Sequence, residues 1–278
     1  MLLLIAAVCL GACAPLTAYN ALAPKDGGAV LVKSGVAYGP LQRQSLDVYV
    51  PSERTTANPV VVVFYGGSWN TGRRQDYAFV GKALASRGVV TVIADYRLVP
   101  SIRFPVFIED GARAVLWAHQ HADQFGGDPN RLFLLGHSAG AYNAVMIALD
   151  GQYLAAIGSS SQIIKGVAAL AGPYDFLPLD VASTQAAFGG ASDLGRTQPI
   201  NFVSRGAPAL FLATGEDDTT VRPRNTRALA ERMSRAGAPV VVKIYPGVGH
   251  IDILLALSLP FRSKAPVLDD VADFIAQR

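Results

Sequence analysis

The sequence predicts an α/β fold: a mostly parallel eight-stranded sheet with helices on both faces and one small insertion. Three observations predict it. Short runs rich in Val, Ile and Leu alternate with helical stretches from about residue 29 to the end. Most of those runs are apolar throughout, as in strands buried on both faces, and parallel strands need helical crossovers between them. With 278 residues, 51% apolar and 16% charged, the chain has the material for such a core and lacks the composition of a disordered one.

The elements follow in order. Ala29–Tyr38 and Gln44–Val50 read as the first strands, the second alternating Leu46, Val48 and Val50. Val60–Tyr65 reads as a buried strand, Asp76–Arg87 as a helix stopped by Gly88, and Val89–Ala94 as a strand. Ile108–Phe125 reads as a helix ending at Gly126-Gly127, Arg131–Leu135 as a strand and Ala139–Leu149 as a helix. Gly166–Ala171 and Ala209–Ala213 are strands, Arg224–Ala236 a helix, Val240–Tyr245 a strand and Val267–Ala276 the closing helix. Between Pro173 and Arg205 the pattern weakens, so residues 173–205 read as an insertion, a small lid, within one domain of residues 29–278.

The first charged side chain is Lys25, and Leu2 to Leu10 is an apolar run of signal-peptide length. Leu10-Gly11-Ala12-Cys13 resembles a bacterial lipobox, which implies a signal peptide over residues 1–12 and a lipid-modified Cys13. Ala14 follows where an aspartate would signal inner-membrane retention. No Lys or Arg precedes the apolar run, a departure that keeps an ordinary cleaved signal and an uncleaved anchor as alternatives. Residues 13–28 read as a linker. The expectation is export to a bacterial cell envelope with membrane contact through Cys13, or otherwise a periplasmic or secreted protein.

Composition excludes several functions. Twenty-four basic against 21 acidic residues leave +3, small and scattered, which argues against nucleic acid. The only cysteines are Cys9 and Cys13, so the rest of the chain has no disulfide, thiol nucleophile or cysteine metal site. Four histidines without metal-ligand spacing argue against zinc, and no metal is expected.

The sharpest motif is Gly136-His137-Ser138-Ala139-Gly140, a G-x-S-x-G between the strand Arg131–Leu135 and a helix. So tight a turn strains the serine backbone and admits only small residues two before and two after it. It lifts the hydroxyl out of the sheet and aims a helix N-terminus at the reacting group. A serine nucleophile needs a base. His119 and His121 lie within a predicted helix and are expected at its solvent face, and the His137 side chain is expected to point elsewhere. His250, in Pro246-Gly247-Val248-Gly249-His250 after the last strand, can reach the carboxyl edge of the sheet. The base needs a carboxylate, and Glu216, Asp217 and Asp218 all follow the strand Ala209–Ala213. For the oxyanion, Tyr65-Gly66-Gly67-Ser68-Trp69 follows another strand, and the N–H groups of Gly66, Gly67 and Ala139 are assigned as donors.

On these motifs the chain, over about residues 42–278, resembles the esterase and lipase branch of the α/β-hydrolase superfamily, the one that includes hormone-sensitive lipase. Its other carriers are Asp95-Tyr96-Arg97-Leu98, Phe104-Pro105 with Glu109-Asp110, and Phe125-Gly126-Gly127-Asp128-Pro129. The stretch Ala94 to Leu149 is similar to isoprenylcysteine methylesterases and kynurenine-formamidase-like enzymes. The resemblance implies the α/β-hydrolase fold, a cofactor-free serine carboxylesterase and a small-molecule ester substrate. Its G-x-x-D-x-x-V loop selects Asp218, with Asp217 second and Glu216 less suited, and the order Ser138, Asp218, His250 suits this fold. It also implies that Arg97 and Asp110 pair to hold loops around the site. Two residues depart from the family: Tyr65 stands where histidine is usual, and Ala141 stands where many relatives have glycine, a methyl group expected to narrow the pocket. The alternatives are an arylformamidase or amidase with the same triad, and a binding protein on the same fold with a dead site, which usually lacks one of the components present here.

Overall fold

The computed structural model describes residues 14–53 and 55–278, so the segment 1–12 and Cys13 lie outside the described residues. One sheet contains β1 (Ala29–Ala37), β2 (Ser45–Pro51), β3 (Asn58–Phe64), β4 (Val90–Ala94), β5 (Gly127–His137), β6 (Ile164–Leu170), β7 (Ala209–Gly215) and β8 (Val240–Tyr245). Their order is β1-β2-β4-β3-β5-β6-β7-β8. The pairs β1–β2 and β2–β4 are antiparallel, and all the other neighbours are parallel. The helices are α1 (Ala14–Leu22), α2 (Ala78–Ala85), α3 (Val106–His121), α4 (Ala139–Leu149), α5 (Gln152–Ala155), α6 (Ala182–Phe188), α7 (Arg224–Arg235), α8 (His250–Leu255) and α9 (Val267–Ala276).

The core is the reason for the order. Val60 to Phe64 have no exposed surface, which requires cover on both faces of β3. On one face α3 packs against α4, and on the other α2 meets α9. β2 shows the limit of pattern reading. Its Leu46, Val48 and Val50 alternate as expected, yet Asp47 and Tyr49 between them are buried as well. Asp47 can be buried because it accepts hydrogen bonds from Arg74 Nε at 2.8 Å, Ser34 Oγ at 2.9 Å and the Gly35 N–H at 2.8 Å.

Three elements before β5 differ from the sequence expectation. The helix expected over Asp76–Arg87 is a 3-10 turn, Arg74–Tyr77, followed by α2. The helix expected over Ile108–Phe125 is α3 followed by the 3-10 turn Ala122–Phe125, which ends at Gly126 in the left-handed region. The third is the segment 13–28, expected as a linker, where Ala14–Leu22 is helix α1. Its own sequence supports it weakly, and it is held by tertiary contacts. The Tyr19 ring lies 5.7 Å from that of Phe79 and 5.9 Å from that of Phe261. Thr17 Oγ1 donates to Asp76 Oδ1 at 2.7 Å, and Asn20 Oδ1 accepts the Phe79 N–H at 3.1 Å.

Residues 173–205, expected as an insertion, pack against the rest of the fold. They contain α6, and their Phe176 and Phe188 are buried. Phe188 packs at 4.8 Å on Trp69, 5.7 Å on Phe107 and 5.2 Å on Tyr142. Tyr142 Oη donates to the Thr197 carbonyl at 2.8 Å, and Asn225 Oδ1 accepts the N–H groups of Tyr174 and Asp175. These rings complete the aromatic cluster around Trp69.

If α1 is part of the domain, a chain starting at residue 29 is less stable than one starting at residue 14. Tyr19→Ala in the longer chain costs about 1–2 kcal/mol in urea unfolding, the value of half-burying one aromatic ring. Equal midpoints for the two chains would restore the linker reading.

Candidate active site

The parallel register aligns the carboxyl ends of the central strands: Phe64 of β3 faces Gly136 of β5, and Gly136 faces Ala169 of β6. The chain leaves β3 towards β4 on one side and β5 lies on the other, so the crevice at their ends is the topological switch point. Ser138 stands there, directly before α4, at φ 56° and ψ −122°. That is a strained backbone for a non-glycine residue. The strain holds because α4 presses against the sheet end. A Cβ at Gly140 would lie 2.0 Å from the Phe64 carbonyl oxygen, and one at Gly136 would lie 2.2 Å from the Gly140 carbonyl oxygen.

Ser138, Asp218 and His250 come from three separate loops and meet. His250 Nε2 is 2.9 Å from Ser138 Oγ, and His250 Nδ1 is 2.7 Å from Asp218 Oδ2. Asp218 is buried, and its Oδ1 accepts the N–H groups of Thr220 at 2.9 Å and Val221 at 2.8 Å. Those bonds fix the orientation of the buried carboxylate and satisfy its Oδ1. Glu216 and Asp217, the alternatives left open by the sequence, are both exposed. His250 was expected in a loop; it is the first residue of α8, whose start is capped by Asp252 Oδ2 accepting the Gly249 N–H at 3.0 Å. The arrangement can move a proton from the serine to the imidazole while the carboxylate holds the ring.

The donor assignment needs one correction. The Gly66 N–H, expected to face an oxyanion, is already bonded to Tyr77 Oη at 2.9 Å. Gly67 N–H and Ala139 N–H have no protein acceptor among the described residues, which leaves two of the three assigned donors. The loop that carries Gly67 is wound tightly. Its carbonyl accepts the N–H groups of Asn70 and Thr71, both at 3.0 Å, and Ser68 and Trp69 both have left-handed φ.

Tyr65, the departure from histidine, supports that loop from below. It is fully buried, stacks on Tyr96 at 4.6 Å, and its Oη accepts from Arg43 Nη2 at 2.7 Å. Arg43 Nη2 also reaches the Gly72 carbonyl at 2.7 Å. Burial among these groups pushes the Tyr65 hydroxyl pKa far up, so it stays neutral. Ala141 does not narrow the pocket as expected: it is fully buried against Gly172, where an added Cβ would come within 2.7 Å of its own. Arg97 and Asp110 do pair. Nε and Nη2 of Arg97 each donate at 2.8 Å, and its N–H donates at 3.0 Å.

The BD-FAE family description matches residues 46–233, a span that includes Ser138 and Asp218. The chain belongs to the BD-FAE family. Among curated proteins it is 29% identical over 243 residues to "Probable isoprenylcysteine alpha-carbonyl methylesterase ICMEL1" of Oryza sativa subsp. japonica, covering 79% of this chain and 57% of that one. It is 34% identical over 146 residues to a kynurenine formamidase of Salmo salar, covering 52% of this chain and 47% of that one. The chain thus spans about half the length of these curated relatives. Esterase B from Lactobacillus rhamnosis superposes with a TM-score of 0.81 at 20% identity, covering 95% of this chain and 93% of that one, a likeness of α/β-hydrolase fold.

Within this BD-FAE chain the other histidines stand apart from Ser138 Oγ. His121 stacks on Trp117 at 4.3 Å, and it and His119 are half-buried on α3, rather than on its fully solvated face. His137 points away from the serine, as expected, but not to solvent. Its Nδ1 is 3.1 Å from Tyr77 Oη and its Nε2 is 2.9 Å from the His250 carbonyl oxygen. Sequence reasoning missed Tyr77 altogether. Its position in a 3-10 turn 12 residues after Tyr65 carries no motif, and only the fold places it beneath the glycine loop.

Burial, with the nearby His250 ring, lowers the His137 pKa from 6.5 to about 3. The unfolded chain binds this proton near pH 6.5, whereas the folded ring refuses it down to about pH 3. The stability that depends on the neutral ring is therefore complete above about pH 6.5 and is lost as the pH falls towards 3. Urea midpoints measured across that range should fall more steeply for the native chain than for His137→Gln. Parallel curves would mean that His137 is not held neutral by the fold.

Proposed function

We propose that the chain is a serine carboxylesterase that hydrolyses small to medium carboxylic esters through an acyl-enzyme. The observation that carries this is the continuous line from Ser138 Oγ through His250 to Asp218, at 2.9 and 2.7 Å. The ester carbonyl oxygen sits against the N–H groups of Gly67 and Ala139. His250 Nε2 takes the serine proton as Oγ bonds to the carbonyl carbon, and the negative charge moves to the carbonyl oxygen. Asp218 stabilises the imidazolium. The tetrahedral adduct collapses as the carbon–oxygen bond to the alcohol breaks and His250 protonates the leaving oxygen. Water then repeats the sequence: it gives a proton to His250, attacks the acyl carbon and releases the acid and Ser138.

A second reading has one observation behind it, the 34% identity over 146 residues to a kynurenine formamidase. The same groups would cleave an aryl formamide, with His250 protonating a leaving amine.

One experiment separates these readings. The protein and its Ser138→Ala variant are treated with a fluorophosphonate and assayed on p-nitrophenyl esters of increasing acyl length and on matched anilides and formanilides. We expect labelling of the unmutated protein alone, faster ester than amide turnover, and a loss of at least about 10⁴-fold in kcat for Ser138→Ala. Faster formanilide turnover would favour the second reading. A folded protein that neither labels nor turns over would overturn both and favour a binding protein.

We also propose that the chain is exported and carries lipid at Cys13, the reading supported by Leu10-Gly11-Ala12-Cys13. Expressed in a bacterium fed an alkyne fatty acid, the full chain should take up label that Cys13→Ser does not. Equal labelling of both, or of neither, rejects it.

A further inference from the structure

Tyr77 and His137 form a buried pair that the proton transfers above do not use. Tyr77 is 3% exposed and His137 2%. Their hydrogen bonds make one chain: the Gly66 N–H to Tyr77 Oη, Tyr77 Oη to His137 Nδ1, and His137 Nε2 to the His250 carbonyl, at 2.9, 3.1 and 2.9 Å. Only one arrangement of hydrogens satisfies it. The His250 carbonyl can only accept, so Nε2 carries the ring hydrogen. Nδ1 of the neutral ring is then bare and accepts from the Tyr77 hydroxyl, whose oxygen lone pair accepts the Gly66 N–H. All the groups are satisfied with no net charge, in a place where an unpaired polar group costs about 1–3 kcal/mol.

The chain also joins three loops. Gly66 precedes the free donor Gly67, His137 precedes Ser138, and the carbonyl belongs to His250 itself. The far end of the glycine loop is anchored separately, with Arg74 N–H and Nη1 on the Asp95 carboxylate at 2.8 and 2.5 Å. A Cβ at Gly66 would lie 3.0 Å from the His137 carbonyl oxygen, so loop and elbow already touch there.

We propose that Tyr77 and His137 are positioning residues that set the distance between the Gly67 donor, Ser138 and the ring of His250. This rests on the esterase reading above. Neither side chain touches the substrate. The Tyr77 hydroxyl fixes the Gly66 peptide plane, and with it the direction of the next N–H, while the His137 ring holds the His250 main chain from beneath. Both act on the transition state, because donors must lie about 2.7–3.1 Å from the oxyanion and a misplacement of about 1 Å can cost about 100-fold.

The test is Tyr77→Phe, which keeps the ring and removes only Oη, with His137→Asn as the second variant. Asparagine offers an acceptor at the place of Nδ1 but no donor to His250. Circular dichroism and thermal melts establish that each variant is folded. We expect kcat on a p-nitrophenyl ester to fall about 10- to 100-fold in both, with KM within about twofold, and fluorophosphonate labelling to slow with kcat. A merely structural role would lower the melting temperature and leave kcat per folded molecule intact. Nitrogen-15 NMR of the unmutated protein at the assay pH should show His137 as the Nε2–H tautomer, a result independent of activity and of how the variants fold. An active protein with an equally active, folded Tyr77→Phe overturns the positioning role alone, as does an Nδ1–H tautomer. An unmutated protein that neither labels nor hydrolyses overturns the esterase reading and this inference with it.

Discussion

The close approach of α4 to the end of β3 is the constraint on which the rest of the site depends. With no Cβ at Gly140, the first turn of the helix rests on the last carbonyl of β3, and with none at Gly136 the turn closes on itself. Side chains larger than hydrogen at either place would push the helix off the sheet. Because they are absent, Ser138 is forced to φ 56° and its hydroxyl rises at the switch point of the sheet. The same packing puts the N-terminus of α4, and the Ala139 N–H, beside the loop that leaves β3. One steric fact thus places the Ser138 hydroxyl and a free N–H together.

The other parts are brought to that point and held by polar groups that the interior leaves no freedom. Asp218 is buried, and two backbone N–H groups fix its carboxylate. His250 is held from both sides: Asp218 on its ring, and the ring of His137 on its carbonyl. The glycine loop is anchored at one end by Arg74 on Asp47 and Asp95, and near the other by Tyr77. Each anchor buries a charge or a hydroxyl, and each is satisfied, which is why so polar a layer can lie directly against an apolar core.

How much of this was legible depended on the range of the interactions. The strands were legible because burial on both faces demands unbroken apolar runs. The elbow was legible because its sterics act within five residues. Asp218 and His250 were legible from their place after known strands, once a family resemblance chose among three acids. Helix α1 was not legible. It has no acidic residue in its first turn and no basic one in its last, and Thr17, Tyr19 and Asn20 find their partners at residues 76, 79 and 258. Gly66 and Gly67 looked equivalent because both are glycines in one loop, and the difference between them is the position of Tyr77.

The sequence by itself determined the layered α/β architecture, the serine at its strained turn, and the chain order of Ser138, Asp218 and His250. These rest on local sterics and on the alternation of apolar and helical segments, which are properties of neighbouring residues. Tertiary structure alone decided which amide remains free to meet a charge, which histidine is buried and neutral, and which stretch before β1 is helix. Those outcomes depend on hydrogen-bond partners 11 to 239 residues apart in the chain, and no local pattern encodes such a pairing.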